Sequence, residues 1–263
     1  MRIIVCVKRV PNVSEADIKL APGGRSVDFG RLPTEMNEAD NCAVEEAIRI
    51  KEACGGSVQT LTIGSGEDDV MIRMALAKGC DSSIRIDHPE LGAQTSPLAI
   101  AKVLAAAIKG TEFDLVLTGA MASDACNMAV GVALAAELGV SHAAVVKKVE
   151  LTNGHARVVR ELEGGGGEVL EMSLPAVLTI QTGINKPRYA QILGIRAAQK
   201  KELKVQSLAE LGLDADALSG LGGAIRFEKF HFPEVGSKAE VIEGDLDIKA
   251  ELLVGKIVQW GVI

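Results

Sequence analysis

The hydrophobic positions in the first half of the chain form short continuous runs separated by longer periodic segments. The runs RIIVCV, VQTLTI and LVLT, at residues 2–7, 58–63 and 115–118, are aliphatic and rich in β-branched residues, which is typical of strands buried on both faces. The longer segments carry apolar residues at helical spacing and end at glycine. This alternation predicts an α/β fold with a doubly wound, mostly parallel sheet.

The pattern changes after residue 141. Four shorter runs, AAVVKKVEL, HARVVREL, GEVLEM and AVLTI, are joined by an Asn153-Gly154 pair and a glycine cluster. They predict antiparallel strands that extend the sheet or fold over one edge. From residue 200 the chain is more polar, so we expect residues 1–200 to form one α/β domain and residues 201–263 an extended C-terminal arm.

Composition narrows the classes of protein. The chain has 263 residues, 48% of them hydrophobic, and a formal net charge of −7, which indicates a globular protein with a large core. Its acidic balance and 3% aromatic content argue against nucleic-acid binding. No apolar run approaches the roughly 18 residues of a membrane span, and the start lacks a secretory layout. We therefore expect a cytoplasmic location, or the mitochondrial matrix in a eukaryote.

Residues with catalytic potential are sparse. The cysteines Cys6, Cys42, Cys54, Cys80 and Cys126 are scattered without a CxxC pair, which supports neither a disulfide framework nor a metal site. The four histidines have no triad or ligand partner that the sequence reveals, and no phosphate-binding GxxxxGK[ST] motif occurs. The sequence favours a binding or carrier protein over an enzyme.

A ligand site is expected at the carboxyl ends of the parallel strands, where the loops after residues 7, 63 and 118 meet. The third loop, GAMASDACNMAVG, places small residues and Asp124 directly before a predicted helix. The free N–H groups of that helix would favour a phosphate, and Asn127 and Ala129 would bring backbone donors close to it. The alternative is an ordinary turn in which Asp124 caps the helix.

Residues 158–203 carry the most distinctive motifs. They contain Arg160-Glu161, Gly164-Gly165, Leu174-Pro175-Ala176-Val177, Asn185-x-Pro187-Arg188-Tyr189 and Lys200-Lys201. This combination resembles the β subunit of electron transfer flavoprotein, and the similarity covers most of the chain. The resemblance implies an adenine-nucleotide-hydrolase-like fold and a heterodimeric electron carrier without catalytic residues of its own. Its FAD would be held mainly by a separate α subunit, and its C-terminal arm would wrap that subunit.

The family's sites carry over residue by residue. In ordinary members the β subunit binds a structural AMP, and the matching positions are Cys6, Asn37, Glu38, Ala39, Asp40, Ser65, Asp124, Asn127, Met128, Ala129, Val130 and Gly131. The loop that docks flavin dehydrogenases matches Gln181, Gly183, Ile184, Asn185, Pro187, Arg188 and Tyr189. Electrons would leave to an acceptor such as a quinone oxidoreductase. Because its neighbours are polar, Ile184 is expected to be the exposed docking anchor; the alternative packs it beneath the loop against Leu193.

Two alternative functions remain at this point. Electron-bifurcating relatives bind a second FAD in place of AMP and carry Asp-x-Asp-Thr-Ala-Gln-Val-Gly in the third loop. Here residues 124–131 keep the first Asp and the Val-Gly but lack the second acid, the Thr and the Gln, which favours AMP. A stand-alone adenine-nucleotide-binding protein would need neither residues 158–203 nor a long arm.

Overall fold

A computed structural model describes residues 1–14, 18–28, 30, 32–88, 95–214, 228–233 and 239–262. The chain divides into two compact units, Met1–Lys229 and Phe230–Ile263. Of the predicted arm, residues 215–227, 234–238 and 263 lie outside the described residues. None of the helices in the described ranges is long and apolar enough to cross a membrane.

The elements of the first unit follow the predicted alternation. Its strands are β1 (Arg2–Cys6), β2 (Arg9–Pro11), β3 (Lys19–Leu20), β4 (Val27–Asp28), β5 (Thr34–Met36), β6 (Ser57–Gly64), β7 (Ser82–Asp87), β8 (Leu115–Gly119), β9 (Ser141–Thr152), β10 (His155–Glu161), β11 (Gly167–Ser173), β12 (Ala176–Ile180) and β13 (Leu203–Gln206). Its helices are α1 (Glu38–Cys54), α2 (Asp69–Lys78), α3 (Pro97–Ile108), α4 (Val130–Leu138) and α5 (Ile192–Ala198).

In the described part of the chain nine strands form the main sheet, in the order β11-β10-β9-β12-β8-β1-β6-β7-β13. Strands β12, β8, β1, β6, β7 and β13 are parallel to their neighbours, as predicted for a doubly wound fold. Strands β9, β10 and β11 pair antiparallel, and Asn153 and Gly154 both have positive φ in the tight turn between the first two.

One strand assignment was wrong. The sequence pattern predicts AVLTI as an antiparallel strand, but β12 pairs parallel with β8 on one side and with β9 on the other. All five of its residues are buried. A continuous apolar run of this kind is typical of a central strand covered on both faces, whereas β9, β10 and β11 each carry exposed residues among buried or half-buried ones.

Helices cover both faces of the sheet and give the unit two hydrophobic cores. Val5 of β1 points to the core shared with α1 and α2, whereas its neighbour Ile4 points to the core shared with α3 and α4. Leu76 of α2 lies in the first core and Leu104 of α3 in the second. This arrangement leaves the carboxyl ends of the central strands free to form a site.

The second unit contains the helix α6 (Leu246–Gln259). Asp245 caps this helix by accepting a hydrogen bond from the backbone N–H of Ile248 at 3.0 Å. No residue of α6 is buried. The first unit reaches Lys229, and its strand β13 lies beyond the predicted domain boundary at residue 200. The wrapping of a partner subunit by residues 201–263 stays a prediction.

Candidate functional site

A cleft opens at the carboxyl ends of β1, β6 and β8, where the loops after β1 and β8 face helix α3. It holds about 870 Å³ of space, counting its open mouth. Most of its wall is apolar, with a few polar side chains, as is common for sites that bind small organic ligands. Its lining includes Cys6, Lys8, Asp40, Leu61, Ile63, Leu104, Thr118, Gly119, Met121, Asn127, Met128, Ala129, Val130 and Gly131.

Asp40, in the first turn of α1, joins two of these loops. Its carboxylate accepts one hydrogen bond from the backbone N–H of Lys8, after β1, and one from that of Gly119, at the end of β8, each at 2.9 Å. Burial raises the pKa of Asp40 to about 7, and the two backbone donors only partly oppose that rise. Asp40 therefore fixes the geometry of the cleft at its centre.

Gly119 is required by this arrangement. A Cβ at this position would lie 2.2 Å from Oδ1 of Asp40 and 2.8 Å from its backbone nitrogen. Only a residue without a side chain lets β8 approach α1 so closely.

Asn37 precedes α1 and positions the third loop. Its Nδ2 donates to the carbonyl oxygen of Met121 at 2.9 Å, and its Oδ1 accepts from the backbone N–H of Ser123 at 3.2 Å. Asn37 is buried and does not line the cleft. Asn37 therefore holds the loop after β8, and that loop lines the cleft.

Asp124 forms an ion pair with Lys8. Both carboxylate oxygens lie 2.7 Å from the Lys8 Nζ, and the Asp124 side chain is almost entirely buried. Asp124 does not cap α4, because the cap residue is Ala129, which makes no side-chain hydrogen bond to that helix. The cap interpretation of Asp124 was therefore wrong. Sequence spacing did not reveal its true partner, although Lys8 stands directly after the first strand's run.

The segment before α4 has an unusual backbone. Cys126 and Met128 both have φ of 51°, in the left-handed region, and Ala129 then returns to a right-handed conformation. Alternation of this kind turns successive N–H groups toward one side, and such concavities bind anions. The uncapped N-terminus of α4 adds further donors and a favourable dipole.

The predicted nucleotide residues separate into two groups. The structure brings Cys6, Asp40, Asn127, Met128, Ala129, Val130 and Gly131 together in the wall of the cleft. Asn37, Glu38, Ala39, Ser65 and Asp124 do not line it. Ser65 caps a short 3-10 turn at Gly66–Asp68, its Oγ accepting from the N–H of Glu67 at 3.3 Å. Lys8, Thr118 and Met121 line the cleft and were not predicted as site residues.

The cysteines are all free thiols. Burial raises the pKa of the Cys6 thiol, which keeps it protonated beside Asp40. Among the described residues, no group of three or more His, Cys, Asp or Glu side chains is placed to hold a metal ion.

Ile184 lies in a different environment from the one predicted. It is half-buried and packs against the core under α1 and α2, so the expectation of an exposed side chain was wrong. Tyr189, Ile192 and Leu193, by contrast, are 90%, 71% and 76% exposed. We call these three residues the docking ridge. The alternative is confirmed in that Ile184 packs beneath the loop, but Leu193 is exposed and is not among the residues that pack against that core.

The polar neighbours of Ile184 turn inward. Gln181 donates to Glu161 at 3.0 Å, and Asn185 donates to Glu46 at 2.9 Å and to the carbonyl oxygen of Cys42 at 3.0 Å. These contacts explain the error, because polar residues that bond to the body of the protein draw the apolar residue between them inward as well.

Comparison with known proteins identifies the family. The fold and cleft place the chain among the doubly wound α/β proteins, and the family model for the electron transfer flavoprotein domain matches residues 27–211. The electron transfer flavoprotein subunit beta of Methylophilus methylotrophus is 34% identical, with 97% of each chain covered. That of Thermoanaerobacterium thermosaccharolyticum is 32% identical over 98% of each chain, and that of Syntrophomonas wolfei is 36% identical over 80% of this chain and 81% of its own. The chain belongs to the beta-subunit family of electron transfer flavoproteins.

Proposed function

We propose that this chain is the β subunit of a heterodimer that carries electrons from flavin dehydrogenases to an acceptor such as a quinone oxidoreductase. In this proposal an α subunit holds most of the FAD, this subunit covers one side of it, and AMP occupies the cleft. The FAD supplies the redox chemistry when bound, and the protein supplies binding, burial and orientation. Family membership is the observation that supports the assignment most directly.

Two features of the cleft support a nucleotide with an adenine base as its ligand. Its aliphatic wall, which includes Leu61, Ile63 and Leu104, suits a flat base. The left-handed residue Met128 and the open start of α4, which also line the cleft, offer backbone donors to a phosphate. Lys8 also lines the cleft, with its charge already paired by Asp124.

The content of the cleft is measured by extracting nucleotides. We expect the purified heterodimer, denatured in acid and analysed by chromatography, to release one FAD and one AMP. Two FAD and no AMP would show a bifurcating type instead. A chain that binds ATP tightly as a monomer and gains no flavin with an α subunit would contradict the assignment as a carrier subunit.

The docking ridge takes the place of Ile184 in the proposed contact with dehydrogenases. Three large side chains stand exposed within five residues of sequence, Tyr189 to Leu193. Clusters of exposed aromatic and aliphatic side chains mark surfaces for protein association, whereas isolated ones do not. A stand-alone nucleotide-binding protein has no use for such a ridge.

A further inference from the structure

The docking ridge has little support from the hydrophobic cores. Tyr189, Ile192 and Leu193 lie mostly in solvent, so packing beneath them does not fix their direction. Backbone immediately before and after the ridge must therefore set its orientation. Both of these flanking segments are held by an arginine.

On the N-terminal side, Arg188 connects the segment to α1. Its backbone N–H and Nε donate to Oε2 of Glu45 at 3.0 and 2.9 Å, and its Nη2 donates to Oε1 of the same carboxylate at 3.1 Å. The guanidinium also donates to both oxygens of Glu52, at 2.6 and 2.9 Å. One side chain thus bridges two carboxylates that are two helical turns apart.

On the C-terminal side, Arg73 of α2 holds the end of α5. Its Nη1 donates to the carbonyl oxygens of Ala198 and Lys201, each at 2.7 Å. Gly194 brings α5 close to α2, since a Cβ there would lie 2.4 Å from the carbonyl oxygen of Ala77. Arg188 therefore holds the backbone before the ridge, and Arg73 holds the backbone after it.

The Arg188 contact has the features of a specific ion pair. The Glu45 side chain is only 5% exposed, so its negative charge needs a partner inside the protein. The guanidinium fork meets both carboxylates with paired hydrogen bonds, a geometry that the point charge of lysine does not reproduce. Exposed ion pairs with a single contact seldom fix an orientation, but this network has five hydrogen bonds.

We propose that Arg188, Glu45 and Glu52 are positioning residues that hold the docking ridge in the orientation a flavin dehydrogenase recognises. This inference rests on the proposed function. The three residues act on the ridge and need not contact the dehydrogenase. Without the network the ridge samples other orientations. The apparent affinity for the dehydrogenase is then reduced in proportion to the fraction of time that the ridge spends in the competent orientation.

The test uses the purified, flavin-loaded heterodimer. Arg188→Lys keeps the charge but loses the fork, and Glu52→Gln removes the more exposed carboxylate charge with little risk to folding. Glu150→Gln, which breaks a similarly exposed pair with Arg157 on the β9–β10 hairpin, is the matched control. Hydrogen–deuterium exchange is measured over residues 189–195 without any dehydrogenase. Reduction kinetics follow, with a purified flavin dehydrogenase that the wild-type heterodimer accepts as its electron donor.

We expect Arg188→Lys to raise the KM of the dehydrogenase for the heterodimer about fivefold, because the competent orientation is populated about five times less. The kcat and the flavin content should be unchanged. Exchange over the ridge should accelerate in the same variant. Glu52→Gln should act in the same direction, and the double variant should be no worse than Arg188→Lys alone, since both break one network. Glu150→Gln should change neither quantity.

Two results overturn the proposal. An unchanged KM would show that the orientation of the ridge does not depend on the network. A raised KM with unchanged exchange would make Arg188 a direct contact and not a positioning residue. If the wild-type heterodimer accepts electrons from no flavin dehydrogenase, the proposed function fails, while unchanged exchange in Arg188→Lys would still refute the positioning role on its own.

Discussion

Lys8 and Asp124 are 116 positions apart in sequence, and their side chains meet at 2.7 Å beside the cleft. Both belong to loops that follow central strands, so the fold itself brings them together. A largely buried carboxylate bound to an ammonium through both oxygens holds the third loop against the first. The acidic residue that sequence spacing suggested as a helix cap is thus a link between two loops.

Asp124→Asn is expected to weaken nucleotide retention. The variant removes the ion pair, frees the third loop and leaves the left-handed residues before α4 less ordered. We expect the AMP content of the heterodimer after gel filtration to fall several-fold, with a normal flavin absorbance spectrum. Glu112→Gln, which breaks an exposed pair with Arg2 at the opposite end of the sheet, is the control. A shifted flavin band with AMP still bound would place the cleft next to the isoalloxazine and contradict this view.

At the scale of elements, the strands and helices that line the sheet were largely predictable. The boundaries of α2 follow directly from its apolar spacing and from the glycine at position 79. The neighbours of β12 were not predictable, because a fully apolar strand carries no face that identifies its partners. The error at Ile184 has a similar origin, since sequence shows that Asn185 and Arg188 are polar but not that acidic residues of α1 receive them.

Ile184 and Ile192 provide a matched pair of substitutions. Ile184 packs against the core, so Ile184→Ala should lower the free energy of unfolding by about 1–3 kcal/mol, less than for a fully buried isoleucine, and leave docking unchanged. Ile192 is 71% exposed, so Ile192→Ala should leave the thermal midpoint unchanged and raise KM for the dehydrogenase. A loss of about 2 kcal/mol at such an anchor corresponds to roughly thirtyfold in affinity. If Ile184→Ala instead raised KM and Ile192→Ala lowered the thermal midpoint, Ile184 would be the docking anchor.

At the scale of the whole molecule, Asp40 connects the cleft to stability. Its pKa of about 7 in the folded protein lies well above the roughly 3.9 of an unfolded aspartate. Between these values the folded state binds a proton that the unfolded state has released. The contribution of Asp40 to stability is therefore full below about pH 4, falls as pH rises toward 7, and is constant above that.

The comparison of the full chain with Asp40→Asn isolates this effect. Titrations common to both proteins cancel in the difference between their free energies of unfolding, measured with denaturant at pH 5, 6, 7 and 8. We expect the advantage of Asp40 over asparagine to shrink by up to about 1.4 kcal/mol per pH unit between pH 5 and 7, then to level off. An advantage that stays constant from pH 5 to 8 would show that the backbone donors at Lys8 and Gly119 keep Asp40 ionised, because the folded and unfolded carboxylates would then both be charged over this range.

The outer strand β11 bears on whether the chain aggregates before it assembles with its α subunit. An unpaired strand edge is a template for aggregation, and β11 ends the sheet on its antiparallel side. Glu168 and Glu171 lie on this edge and pair across to Arg160 and Arg157 of β10, the residues directly opposite them. These charges fix the register of the hairpin and discourage a second copy from adding its own strand. We therefore expect a newly made chain not to aggregate through this edge before its α subunit binds.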